Sequence, residues 1–87
     1  MLNVYTVQDK VSNTYRPPVV FLTDRDARDA FQMLANDEGS TINKYPEDFQ
    51  LLKIGSYDER SGLLSPLIEK ESICWAKELL TNNEEGA

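Results

Sequence analysis

One segment of the sequence has a strong helical pattern, and it constrains what the rest of the chain must form. Thr23 suits the N-cap of a helix that ends near Asn36, and acidic residues follow the cap where the positive end of the helix dipole favours them. Apolar residues recur at i, i+3, i+4 and i+7 as Ala27, Ala30, Phe31 and Leu34. Such a stripe must be buried against another layer, so the remaining segments are expected to supply a sheet.

Two predicted hairpins supply that sheet. The first pairs a strand over 2–11 with a strand over 15–22, whose start is irregular or lies at a sheet edge because Pro17 and Pro18 cannot donate hydrogen bonds. After a loop, the second pairs a strand over 49–57 with one beginning at Leu63, and Gly62 suits the turn between them. The predicted fold is therefore α+β: two antiparallel hairpins forming a sheet, with one helix packed on it.

The pattern after Pro66 is less regular. Ile73, Ala76 and Leu80 recur at helical spacing, which favours a short second helix from about Glu69 to Leu80. A single domain is expected over residues 1–80, followed by a frayed acidic tail over 81–87. Because 87 residues bury only a thin core, and the apolar side of this second helix exceeds what one small sheet covers, we expect a homodimer.

The chain lacks the usual catalytic inventory. It has no His and one Cys, Cys74, which leaves no His base, no zinc cluster and no disulfide. The acids at Asp24, Asp26 and Asp29 lack the glycine and distal glutamate of a calcium loop, and the other paired acids are placed in turns. We therefore expect no enzymatic activity, no metal and no cofactor. The lone thiol and the lack of a secretory pattern or a long apolar run predict a cytosolic protein without membrane contact.

The net charge of the chain argues against nucleic-acid binding, whereas some of its aromatic residues favour it. Fifteen acidic and nine basic residues give a net charge of −6, which argues against binding by bulk phosphate neutralisation. Two neighbouring pairs of a tyrosine with a cation, Tyr15 with Arg16 and Tyr45 with Lys44, nevertheless suit single-stranded nucleic acid. Ordinary packing is still the commoner role of any one tyrosine on a sheet. The residues predicted to contact single-stranded DNA are Tyr15, Arg16, Arg25, Arg28, Lys44 and Lys53.

Several blocks of the sequence resemble a known family. They are the opening run from Asn3 to Lys10, Pro17-Pro18, and Asp26-Ala27 leading into Ala30-Phe31. Above all they include the block Lys44-Tyr45-Pro46-Glu47-Asp48-Phe49, followed by Leu52, Lys53-Ile54-Gly55, Tyr57-Asp58 and Gly62. Over residues 1–66 this pattern is similar to the small nonstructural protein of the gokushoviruses, which are phages of the Microviridae with circular single-stranded DNA genomes.

The resemblance implies a role rather than a reaction. It implies a nonstructural protein acting in viral single-stranded DNA synthesis and genome packaging in the host cytoplasm, in contact with single-stranded DNA, the replication initiator or the procapsid. The alternative is a protein-only adaptor or host-factor inhibitor that binds through its sheet edge or C-terminal helix without touching nucleic acid. Salt-dependent binding to single-stranded DNA separates the two.

Overall fold

Strand β1 (Leu2–Asp9) lies inside a five-stranded antiparallel sheet. The computed structural model describes residues 1–81. Along the chain the further elements are β2 (Thr14–Tyr15), β3 (Val19–Phe21), α1 (Asp24–Ala35), α2 (Thr41–Lys44), β4 (Phe49–Asp58), β5 (Leu63–Trp75) and a 3₁₀ helix (Ala76–Leu79). One edge of β1 pairs with both β2 and β3, its other edge pairs with β4, and β5 pairs with β4 at the far side of the sheet. The predicted α+β class with two hairpins in one sheet is confirmed.

The strand predicted over 15–22 is split where its prolines stand. Between β2 and β3 the ladder is replaced by irregular bonds, in which the Thr6 hydroxyl donates to the carbonyl of Arg16 at 2.7 Å and the Arg16 N–H donates to the carbonyl of Val7 at 2.9 Å. Pro17 and Pro18 have no N–H to place in a ladder, so the chain leaves the sheet at this edge and rejoins it at Val19.

Helix α1 forms where its pattern predicts it. The Thr23 hydroxyl accepts the N–H of Asp26 at 3.1 Å, and Asn36 is the C-cap. The buried stripe is Ala27, Phe31 and Ala35, whereas Leu34, which the sequence assigned to the core, is 40% exposed at the margin of the helix. The helix lies across one face of the sheet and buries Tyr5, Val7 and Leu51 beneath it.

The helix predicted from Glu69 to Leu80 is wrong over most of its length. Strand β5 continues to Trp75 because its backbone pairs with β4 as far as Gln50, and only the 3₁₀ turn Ala76–Leu79 follows. Of the apolar residues of the supposed helix, Cys74, Ala76 and Leu79 are buried against α1 and the sheet, Ile73 packs against that core, and Leu80 is exposed. The surplus apolar helix face that motivated the homodimer is therefore absent from the described part of the chain. Apart from Thr81, the tail predicted over residues 81–87 lies outside the described residues.

Among residues 1–81, no helix is both long enough and apolar enough to cross a membrane.

Candidate nucleic-acid interface

The strand register sorts the side chains of the sheet onto two faces. On the face opposite α1, which we call the open face, consecutive partners form a cross-strand row through β2, β1, β4 and β5. Gln8 is opposite Tyr15 on one side and Gln50 on the other, and Gln50 is opposite Trp75. Partnered residues of an antiparallel pair point to the same face, so two aromatic rings stand at the ends of this row with two carboxamides between them. We call these four residues the aromatic row.

Two further rows lie beside the aromatic row on the open face. They consist of Thr6, Leu52 and Ser72, and of Val20, Val4, Gly55 and Pro66. The carboxamide of Gln50 donates a hydrogen bond to the hydroxyl of Ser72, which links the first of these rows to the aromatic row. None of the residues in the three rows is acidic. Thr6, Leu52 and Val4 are buried, so the exposed part of this face is mainly the aromatic row, and the Glu78 carboxylate accepts the backbone N–H of Trp75 at one end of it, at 2.6 Å.

A bulge in β5 brings a lysine over the sheet. Lys53 and Gly55 pair with Glu71 and Pro66, so the single residue Ile54 faces residues 67–70 of β5. This excess of residues bends the strand and re-aims its side chains. Lys70 reaches back across the open face until its Nζ lies 5.6 Å from the centroid of the Tyr15 ring.

The second ring of the aromatic row has the same kind of partner. The Nζ of Lys10, just beyond the end of β1, lies 5.6 Å from the centroid of the Trp75 ring. Beside the Tyr15 and Lys70 pair, a shallow cleft of about 430 Å³ is lined by Thr6, Tyr15, Arg16, Pro18, Ile54, Pro66 and Lys70. An ammonium group over an aromatic face is held by the ring quadrupole, and both groups remain able to meet a ligand at an exposed site.

The opposite face has another tyrosine and lysine, tied into a structural network. The Tyr5 hydroxyl donates to the Asp24 carboxylate at 2.5 Å, and the Lys53 ammonium lies 3.1 Å from Asp24 and 3.5 Å from Glu71. Burial and the bond to Asp24 raise the pKa of Tyr5 to about 12. The bonds from Tyr5 and Lys53 lower the pKa of Asp24, and that carboxylate in turn raises the pKa of Lys53. Asp24 thereby anchors the first turn of α1 to the sheet.

The six residues predicted to contact DNA do not share one surface. Tyr15 lies on the open face, but its neighbour Arg16 points to the other side, with its guanidinium carbon 5.4 Å from the Phe49 ring centroid. Arg25 and Arg28 line a cleft beside α1, and Lys53 is held by its two carboxylates. Lys44 ends α2, next to the turn that begins at Tyr45.

Sequence reasoning missed three residues of the open-face arrangement, namely Lys10, Lys70 and Trp75. Lys10 shares the face of Gln8 by strand alternation, which was a usable signal. Trp75 was assigned to a helix, and Lys70 reaches Tyr15 only because of the bulge in β5.

The groups exposed on the open face are of the kinds that contact nucleic acid. Bases stack on aromatic rings, and the ammonium groups of lysines beside the rings donate to phosphate oxygens. Burial raises the pKa of Cys74, so its thiol stays protonated in the core. Within residues 1–81, no three acidic, His or Cys side chains are grouped so as to hold a metal ion.

Comparison with known proteins gives one match. No curated protein and no solved structure matches the chain. The family described as Phage ORF5 protein matches residues 2–79, a span that includes the helix, all five strands and the aromatic row. The chain therefore belongs to the Phage ORF5 protein family.

Proposed function

We propose that this phage protein acts, without enzymatic activity, in viral single-stranded DNA synthesis and genome packaging, and that it binds single-stranded DNA on the open face. The observation that carries the proposal is the pair of aromatic rings, Tyr15 and Trp75, each with a lysine Nζ at 5.6 Å on a face whose rows contain no acid. The resemblance over residues 1–66 supports a gokushovirus of the Microviridae as the source, and the host cytoplasm as the place of action.

The charge of the chain determines what kind of binding this is. A net charge of −6 repels phosphate at long range, so affinity must come from the local lysines and from stacking, which contributes about 1–3 kcal/mol per base. Two lysines that neutralise two phosphates of a single strand give a slope of about −1.4 in log affinity against log salt concentration. Binding is therefore expected to be weak, local and moderately sensitive to salt.

Trp75 makes the test direct, because it is the one tryptophan of the chain and a base stacked on its ring should quench its fluorescence. Titration with oligothymidylate at low ionic strength should quench the wild-type protein, and the double variant Lys10→Glu/Lys70→Glu should lose the effect. The matched control is Arg25→Glu/Arg28→Glu, which makes the same change of charge on the helix side. If no oligonucleotide quenches Trp75 or is retarded at low ionic strength, the DNA-binding proposal is wrong and the protein-only adaptor becomes the better account.

A protein partner is part of the proposal as well, either the replication initiator or the procapsid. Pull-down from infected cells with and without nuclease separates partners held through DNA from those held by the protein surface. A partner that survives nuclease treatment supports a direct protein contact, whereas loss of every partner assigns the association to DNA.

We also retain self-association as a proposal, with a different physical basis. The outer edge of β5 has no strand beside it among the described residues, and Leu63, Leu64, Leu67 and Ile68 of that strand are exposed. An exposed apolar edge favours pairing with a second copy. Sedimentation at micromolar concentration should show a species near twice 9.9 kDa, and Ile68→Lys should shift it towards the monomer. A monomer at every concentration would remove this proposal.

A further inference from the structure

We infer that the aromatic row binds a short single strand that runs across the β-strands, with one base on Tyr15, another on Trp75 and the intervening bases over Gln8 and Gln50. This inference rests on the proposed function and adds the direction and the length of the bound strand to it. Its basis is the register, which places the two rings at opposite ends of one cross-strand row.

The length of the row sets the length of strand that can reach both rings. Three inter-strand spacings of about 4.8 Å separate the backbones of Tyr15 and Trp75, a distance of about 14 Å. A strand with the stacked rise of about 3.4 Å per nucleotide covers that distance in about four steps, and a splayed strand covers it in fewer. A strand of about three to five nucleotides therefore suffices to occupy both rings, and a dinucleotide can occupy only one.

The neighbouring rows favour this direction over one parallel to the β-strands. Neither the row through Thr6 and Leu52 nor the row through Val4 and Gly55 contains an aromatic residue. A nucleic-acid strand that ran along β1 or β4 would therefore stack on one ring of the aromatic row and find no second ring in the two neighbouring rows. Along the aromatic row, by contrast, each ring has its own lysine, so phosphates meet a cation at both ends.

The two carboxamides between the rings are held in place. The Nε2 of Gln8 lies 3.4 Å from both the Asn13 Oδ1 and the Tyr15 hydroxyl, and the Nε2 of Gln50 donates to Ser72. A carboxamide has both a donor and two acceptor lone pairs, the combination that contacts base edges. The middle of the row therefore offers hydrogen bonds where its ends offer stacking.

The test is Trp75 quenching by oligothymidylates of increasing length at low ionic strength, with the wild-type protein and with Tyr15→Leu. For the wild type, affinity should rise about tenfold or more between the dinucleotide and the pentanucleotide and change little beyond it. Tyr15→Leu should lose that rise and bind the dinucleotide as the wild type does. Tyr45→Leu, which alters an exposed tyrosine outside the row, should leave the length dependence unchanged.

A second measurement does not depend on an aromatic substitution. A pentanucleotide with an abasic central position should bind the wild type several-fold more weakly than the intact strand, and the Gln8→Met/Gln50→Met variant should bind both strands equally. If affinity instead rises smoothly with length, and Tyr15→Leu weakens every length by the same factor, the cross-strand row is wrong while DNA binding stands. If no length quenches Trp75, the proposed function itself fails.

Discussion

The two faces of the sheet place the same pair of residue types in opposite circumstances. On the helix side, Tyr5 is fully buried and Lys53 is held between two carboxylates, so both residues are committed to the fold. On the open face, Tyr15 is 46% exposed and its companion Lys70 has no carboxylate among its ion-pair partners in residues 1–81. A tyrosine beside a cation therefore indicates binding only where the ring is itself exposed and the cation is not paired with a carboxylate.

The first prediction compares how much one aromatic residue on each face contributes to the free energy of unfolding. Phe49 is 3% exposed and packs in the core with Phe31 and Leu51, so Phe49→Ala should lower the free energy of unfolding by about 3–5 kcal/mol. Tyr15→Ala on the open face should cost less than about 1 kcal/mol. Urea denaturation of both variants measures the difference. A wild-type midpoint for Phe49→Ala would mean that the block from Lys44 to Phe49 is a surface feature.

The second prediction concerns a close approach between β4 and β5 on the open face. A Cβ at Gly55 would lie 2.6 Å from the carbonyl oxygen of Ser65, which is backbone and cannot swing aside. Gly55→Ala should therefore destabilise the protein by about 1–3 kcal/mol. Gly39→Ala is the control, because a Cβ there comes no nearer than 3.5 Å, to the side chain of Asp37. Equal melting temperatures for the two variants would show that the hairpin adjusts freely.

The third prediction is a pH dependence that the Tyr5 and Asp24 pair contributes on the helix side. Because the folded pKa of Tyr5 is raised from 10.0 to about 12, its contribution to stability is full below pH 10 and is lost as pH rises towards 12. Because the folded pKa of Asp24 is lowered, its contribution is present above its ordinary pKa of 3.8 and is lost as pH falls below that value.

Tyr5→Phe removes the hydrogen bond from the Tyr5 hydroxyl to the Asp24 carboxylate, which contributes to both pKa shifts. It should cost about 1.5 kcal/mol at neutral pH, the lower end for bonds to charged groups, because Asp24 is half exposed. Denaturation across pH should also show a shallower loss of stability at both extremes than in the wild type. A pH profile that Tyr5→Phe leaves unchanged would contradict the network.

Local patterns predicted the parts of the fold that depend on local physics. The Thr23 cap, the helix behind it and the positive φ of Gly62 follow from side-chain chemistry within a few residues. The end of the chain was different, because β5 shifts register against β4 near Leu51 and again near Lys53. Those irregularities break the period-2 alternation by which a strand is recognised, and the remaining apolar spacing resembles a helix.

The candidate site depended on the same long-range register. Tyr15 was predicted, but its cation was assigned to Arg16, although adjacent residues of a strand point to opposite faces. The true companion, Lys70, is 55 positions further along the chain and reaches the ring through the bulge. Residue spacing along the sequence could not predict this contact, because it depends on how β5 pairs with β4.

The last prediction compares a double charge reversal on each face of the sheet. Arg25 and Arg28 lie on the exposed side of α1 and line a cleft on the helix side, so reversing both should change stability by about 0.5 kcal/mol or less. This double variant and Lys10→Glu/Lys70→Glu each make the net charge more negative by four, two per residue, so any long-range repulsion of DNA is the same in both. If the open face binds, only the lysine variant loses oligonucleotide binding, as measured by Trp75 quenching. Loss of binding in the arginine variant alone would show that the DNA interface is on the helix side. Equal partial losses in both variants would show that the lysine variant weakens binding only through the net charge of the protein.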